Sequence, residues 1–211
     1  MNEIYFEIRV CTSCGLRYPI QKNSSMSVRC PICLGGTEVV LNKTIRDEER
    51  KIEKSTSKKN GFHAVLLDNI RSAWNVGSIF RSADGFGFDH VYLGGITPTP
   101  ENEAVIKTSL GAEEYLPWSY HKDAVKLIHG LKKDGWWIAA LEEGEGSIQL
   151  GKQKSTKAKK SVLILGSEVT GVDPELLALC DQIISIPMRG QKRSLNVAIA
   201  FSVAAYALSN A

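Results

Sequence analysis

Four of the five cysteines fall as two tight pairs, "CTSC" (Cys11, Cys14) and "CPIC" (Cys30, Cys33), with fifteen residues between Cys14 and Cys30. The C-x2-C…C-x2-C spacing is that of a structural zinc site, because two knuckles deliver four thiolates to a tetrahedral ion and leave no open position for catalysis. Gly15 and Gly35 suit the turns that aim backbone N–H groups at the sulfurs. The alternative, two disulfides, needs an oxidising compartment that nothing else in the chain supports. Cys180 reads as a small buried hydrophobe.

Three polar islands interrupt the apolar pattern farther along. In "NVGSIFRSADGFG" (residues 75–87), Asn75 and Arg81 sit among Val76, Ile79, Phe80 and Ala83, which would form the buried stripe of a helix. An arginine in such company is paired or working. In "LGSEVTGVDPELL" (165–177), a strand runs into a Gly/Ser turn, Glu168 stands in the loop and Asp173–Pro174 opens a helix. In "IPMRGQKRSLNVA" (186–198), another strand end is followed by a basic loop, with Ser194 and Asn196 just before the last helix. Taken singly, Ser194 reads as an N-cap and Glu168 as a surface carboxylate. Together, strand-end loops carrying Gly, Glu, Ser and Asn describe a cofactor cleft, since parallel sheets bind ligands beyond their carboxyl ends.

The elements that must hold these islands alternate. "FHAVLL", "HVYLGG", "WWIAAL", "SVLILG" and "QIISIPM" read as strands. Residues 75–85, "NEAVIKTSL", "DAVKLIHGLKKDG", "PELLALC" and "SLNVAIAFSVAAYALSN" read as helices. Such alternation predicts an α/β fold with a parallel sheet covered on both faces. Ahead of it, "IYFEIRV" and "TEVVLNK" are strand-like. The expected domains are therefore a ribbon over 1–43, a charged linker over 44–60, helical in its first half, and an α/β body over 61–211.

With 211 residues the chain has room for one good-sized domain and a small one. No apolar run approaches the roughly 18 residues of a membrane span, and "VAIAFSVAAYAL" fits a buried helix. The opening residues lack a signal-peptide pattern, so the expected location is the cytoplasm. Residues 1–60 carry a net charge of +4 and the rest −1, which suits an N-terminal segment that binds an anion, though ordinary surface charge explains it as well. Five lysines between Lys152 and Lys160 predict a surface loop with a possible phosphate contact. There is no G-x4-G-K-[ST], no G-x-S-x-G, no G-x-G-x-x-G after the first body strand and no histidine pair with metal spacing.

The three islands in this order closely resemble the motifs of the SpoU-type (SPOUT) RNA 2′-O-ribose methyltransferases, over nearly the whole body. The resemblance implies a sheet whose C-terminal part is threaded as a trefoil knot, a homodimer with its active site at the interface, and S-adenosylmethionine as cofactor. By motif position it implies that Gly166, Ile186 and Leu195, with Met188 beside them, line the cofactor pocket. It gives Arg81 the activation of the ribose hydroxyl. Arginine keeps its proton far above neutral pH, so the chemistry favours a donor that stabilises the developing alkoxide and orients a phosphate. Asn75 would orient Arg81 or the ribose, Glu168 would pair with a basic group or position the helix of the third motif, and Ser194 and Asn196 would hydrogen-bond near the cofactor and the reacting ribose. The RNA, transfer or ribosomal, would meet the ribbon, the linker and "MRGQKR". Two alternatives stay open: a non-catalytic RNA-binding or assembly factor, and methylation of a base.

Overall fold

The computed structural model describes residues 3–24, 29–46, 61–152 and 158–209. The chain divides into two compact units, 1–58 and 59–211.

In the first unit β1 (Glu3–Cys11) is flanked by β2 (Arg17–Gln21) and β3 (Thr37–Arg46), both antiparallel to it. Among the described residues of this unit only Cys11 and Cys30 are buried. Ile4, Val40, Leu41 and Ile45 are exposed. A sheet of this size with no hydrophobic core needs another source of stability. β3 runs to Arg46, three residues into the stretch expected to be a linker. The helix expected in the first half of that stretch is therefore a strand at 44–46, and its remainder lies outside the described residues.

The second unit is a seven-stranded, wholly parallel sheet. In chain order it contains β4 (Phe62–Asp68), α1 (Ala73–Gly85), β5 (His90–Gly94), α2 (Glu103–Ser109), α3 (Ala112–Tyr115), β6 (Trp118–His121), α4 (Ala124–Lys133), β7 (Trp137–Leu141), β8 (Ile148–Gln149), β9 (Lys160–Leu165), α5 (Pro174–Leu179), β10 (Gln182–Ser185) and α6 (Val197–Ser209). The spatial order is β6-β5-β4-β9-β7-β10-β8. The apolar runs are continuous because both faces are covered. Val65, Leu67, Leu163 and Leu165 pack with Phe80 of α1 and Phe201 of α6. Ala64, Leu66, Val162 and Ile164 pack on the other face with Ile128 of α4 and Leu176 of α5.

Three expectations shift. α3, β6 and β8 are too short to show a period in the sequence. The last body strand stops at Ser185, and Ile186–Met188 leave the sheet at Pro187. α6 is only half buried: Ala198, Phe201, Ala204 and Ala205 face the core, while Ile199, Val203 and Tyr206 are exposed. Residues 153–157 of the lysine-rich patch lie outside the described residues, and Lys160 begins β9 with its Nζ 5.9 Å from the centre of the Trp136 ring. Among the described residues no helix is long and apolar enough to cross a membrane.

α1 and α2 approach each other at Gly77. A Cβ there would lie 2.4 Å from the Val105 carbonyl oxygen, 2.0 Å from Thr108 Oγ1 and 2.9 Å from the Ser109 nitrogen. Backbone atoms cannot swing aside, so α2 must move away from α1. Gly77→Ala is expected to destabilise the body by about 1–3 kcal/mol, whereas Gly85→Ala, with nothing within 4 Å of its added carbon, has far less effect. Denaturant unfolding of the two variants checks this.

Candidate functional site

A cavity of about 420 Å³ opens at the carboxyl ends of β9, β7 and β10. Its walls are the loops after these neighbouring strands and the start of α6. Gly166, Ile186, Met188 and Leu195, expected around a cofactor, all line it, and so do Glu168, Ser194 and Asn196.

The floor is a tight loop. Ser167 and Gly171 exchange both backbone hydrogen bonds, at 3.0 and 2.9 Å. A Cβ on Gly166 would sit 2.1 Å from the backbone of Gly171 and Val172, so only glycine permits this return. Two carboxylates pin the far side of the loop. Glu142 Oε2 accepts from the Val172 N–H at 3.0 Å, and Asp68 Oδ2 accepts from the Asp173 N–H at 3.0 Å. Asp68 is only 2% exposed, and burial pushes its carboxyl above the usual range although the Asp173 N–H opposes it.

One chain of side chains joins the three islands. Glu168 Oε2 accepts from the Arg71 N–H at 3.0 Å, and its Oε1 from the Ser72 N–H at 3.4 Å and from Asn75 Nδ2 at 2.8 Å. Asn75 Oδ1 accepts from Asn196 Nδ2 at 3.0 Å. Asn196 Oδ1 in turn accepts from the N–H groups of Ala198 and Ile199, at 2.9 and 3.3 Å. Glu168 thus sits at the N-terminal end of α1, where the helix dipole favours a carboxylate, and Asn196 caps α6. The cap expected of Ser194 belongs to Asn196.

Arg81 is not brought into the cavity. It is exposed, it lines no part of the cavity, and no hydrogen bond or ion pair forms between it and the other described residues. Six residues on from Asn75, it lies about 9 Å along α1 and roughly a third of a turn away. Sequence reasoning also missed the wall formed by Leu141, Glu142 and Glu143. The available signal was "LEEGEG" at the end of a parallel strand, but β7's position between β9 and β10 is a property of the sheet order.

In the first unit Cys11 and Cys33 Sγ are 3.4 Å apart and Cys14 and Cys30 Sγ 3.7 Å apart, with all four sulfurs within 4.8 Å of one another. Zn–S bonds of about 2.3 Å in a tetrahedron put sulfurs about 3.8 Å apart, so the donor set fits. The Cys14 N–H, followed by that of Ser13, brings the Cys11 thiol down to about 6. Gly15 and Leu34, each following the second cysteine of a pair, take left-handed conformations (φ +73° and +59°). The second knuckle therefore places its left-handed turn at Leu34 and not at Gly35.

Partial burial alone would raise Glu168's pKa, but donors from Arg71, Asn75 and Ser72 outweigh it and hold the carboxyl below its usual range. A lowered folded value means stability that is present above the unfolded value of about 4.3 and lost as pH falls through the lower folded one. Glu168→Gln is expected to flatten that acid limb and to cost about 1 kcal/mol at neutral pH, a small figure because the group is exposed. Unfolding midpoints of both proteins from pH 7 to 3 check it.

The family model described as "SpoU rRNA Methylase family" matches residues 63–206. A TrmH family tRNA/rRNA methyltransferase of Staphylococcus aureus is 33% identical over 155 residues, 72% of this chain and 61% of the relative. The chain thus spans about three fifths of that relative's length. The tRNA (guanosine(18)-2′-O)-methyltransferase of Borreliella burgdorferi is 28% identical over 80% of this chain and 76% of its own. The crystal structure of an AdoMet-bound rRNA methyltransferase from Sinorhizobium meliloti superposes with a TM-score of 0.67 at 27% identity, over 71% of this chain and 56% of that one. With its parallel sheet, strand-end cavity and three linked motifs, the chain belongs to the SpoU methylase family, whose relatives bear the TrmH name.

Proposed function

We propose that this protein transfers a methyl group from S-adenosylmethionine to a ribose 2′-hydroxyl of tRNA or rRNA. The observation that carries the reading is the strand-end cavity with the Glu168–Asn75–Asn196 chain at its edge. Its size lies within the range of cofactor pockets. Leu141, Leu165, Ile186, Met188 and Leu195 offer apolar surface for an adenine. Glu142, Glu143 and Glu168 outnumber Arg193, which suits a ligand carrying an ammonium and a sulfonium.

When bound, the cofactor supplies an electrophilic methyl group. The ribose oxygen would gain the methyl as the sulfonium–methyl bond breaks to leave the thioether, and its proton would pass to water. A guanidinium offers five N–H donors and no acceptor, so Arg81 serves as a hydrogen-bond donor to the oxygen or the adjoining phosphate. Asn75 and Asn196 bond one another and so link the motif segments, and Ser194, on the cavity wall, would hydrogen-bond the ribose or the cofactor. Because Arg81 stands outside the cavity of its own chain, the reading includes a homodimer in which it completes the partner's site. It also includes the threaded C-terminal knot. The order β9, β7, β10, which doubles back across the sheet, supports that threading.

The four thiolates would hold a structural Zn²⁺ and replace the core that the first unit lacks. Thiolates kept reduced for a metal suit the cytoplasm. We take residues 1–43 as the ribbon, 44–60 as the linker and 61–211 as the methyltransferase domain.

Labelled S-adenosylmethionine and total RNA, separated by size, test the activity. Label is expected in the tRNA or rRNA fraction, at positions resistant to alkaline cleavage, and Arg81→Ala is expected to lower the rate about 10²- to 10³-fold. Absence of both cofactor binding and label would leave an RNA-binding factor on this fold. For the metal, one zinc per chain is expected by elemental analysis. Chelation or Cys14→Ser is expected to unfold the first unit, read as lost amide protection in 3–46, while the body's unfolding transition stays in place.

A further inference from the structure

The exposed face of α1 carries a feature the reaction chemistry does not use. Trp74, the second residue of that helix, is 55% exposed, whereas the other three tryptophans are partly buried. A large aromatic left in water on a rigid helix asks for a partner. Trp74 precedes Asn75, whose amide bonds Glu168 at the cavity edge. It also stands seven residues before Arg81, so the two share one face of α1, about 10 Å apart along the axis.

A cation stands against the ring. Lys107 Nζ, from α2, lies 5.9 Å from the Trp74 ring centre. The close approach at Gly77 sets α2 beside α1 and so brings Lys107 to the ring. Arg71, three residues upstream, is exposed, and so is Arg81. An indole with Lys107 against its ring and the exposed Arg71 three residues upstream matches a polyanion that also presents flat aromatic groups. A ring that stacks and cations that meet phosphates are the two parts of a single-stranded nucleic-acid platform.

We propose that Trp74 is a stacking platform for an unpaired base of the RNA, next to the nucleotide whose ribose is methylated, with Lys107 and Arg71 meeting the adjoining phosphates. The inference rests on the methyltransferase reading for the identity of the neighbouring nucleotide, but its recognition chemistry is tested separately. The site takes RNA with splayed bases and has no use for a fully paired helix, whose bases offer no free faces.

The test uses the full chain and a short single-stranded oligoadenylate. Binding is expected to quench tryptophan fluorescence, and Trp74→Phe is expected to remove most of the quench while keeping affinity within a few-fold. Trp74→Ala is expected to weaken oligoadenylate binding roughly 5- to 150-fold, the range for stacking one base on an aromatic ring, with S-adenosylmethionine affinity and unfolding midpoint unchanged. Heparin, a polyanion without bases, is expected to bind without the quench. The proposal is overturned if Trp74→Ala binds oligoadenylate as tightly as the parent, if the parent does not bind it at all, or if heparin quenches equally. Ile106 and Leu110 on α2 are also exposed. A drop in the mass of the assembly on Trp74→Ala, measured by light scattering, would overturn the proposal by assigning the ring to a protein interface. A parent that shows the base-dependent quench but transfers no methyl would overturn the methyltransferase reading and leave the platform standing.

Discussion

The candidate site depends on one carboxylate. Glu168 accepts two backbone N–H groups at the start of α1 and the side-chain amide of Asn75, which then bonds Asn196 at the start of α6. Three segments, the first lying 93 residues before the second and 121 before the third, are held by a handful of hydrogen bonds. At α6 the donors of Ala198 and Ile199 find their acceptor in Asn196, whereas α1 is capped by the Ser72 hydroxyl, which accepts from the Asn75 N–H, and Glu168 takes the two N–H groups just ahead of that helix. The geometry of the cavity edge is therefore set by the two side-chain bonds that run from Glu168 through Asn75 to Asn196.

Beneath that edge, the sheet order does the positioning. Placing β7 between β9 and β10 brings three strand-end loops to one place. Glu142 and Asp68, from the ends of β7 and β4, take the consecutive N–H groups of Val172 and Asp173 and hold the Gly166–Gly171 return against them. Asp68 does so from within the core, where a lone carboxylate is costly and where two hydrogen bonds are its compensation. The cavity above is thus backed by rigid strands and bonded loops, the kind of support a site needs to hold a ligand in one pose.

The two units meet the stability problem differently. The body covers a seven-stranded sheet on both faces and buries large side chains such as Phe80 and Phe201 completely. The first unit buries only two cysteines among its described residues. Its cross-knuckle sulfur pairs, Cys11 with Cys33 and Cys14 with Cys30, bring the two knuckles together.

Local pattern was enough for much of this. Hydrophobic runs and their breaks marked five of the body's strands and its longer helices, because apolar spacing follows burial on both faces of a parallel sheet. Cysteine spacing marked the thiol cluster, because a knuckle is a local structure. The residues Glu168, Asn75 and Asn196 stood out as polar islands, and Gly166, Ile186, Met188 and Leu195 through the resemblance. What the sequence could not decide was partnership. It left Asn196's amide free to cap or to catalyse, made Ser194 look like the cap, and hid Glu142 in an ordinary acidic loop. It also placed Arg81 beside Asn75 in one motif, although the helix turns it away from the cavity. Those outcomes depend on the order of strands and the angle of helices, which bring together residues far apart in the chain. The sequence by itself determined which segments could be buried and which could bind; only the tertiary structure decided which polar group meets which.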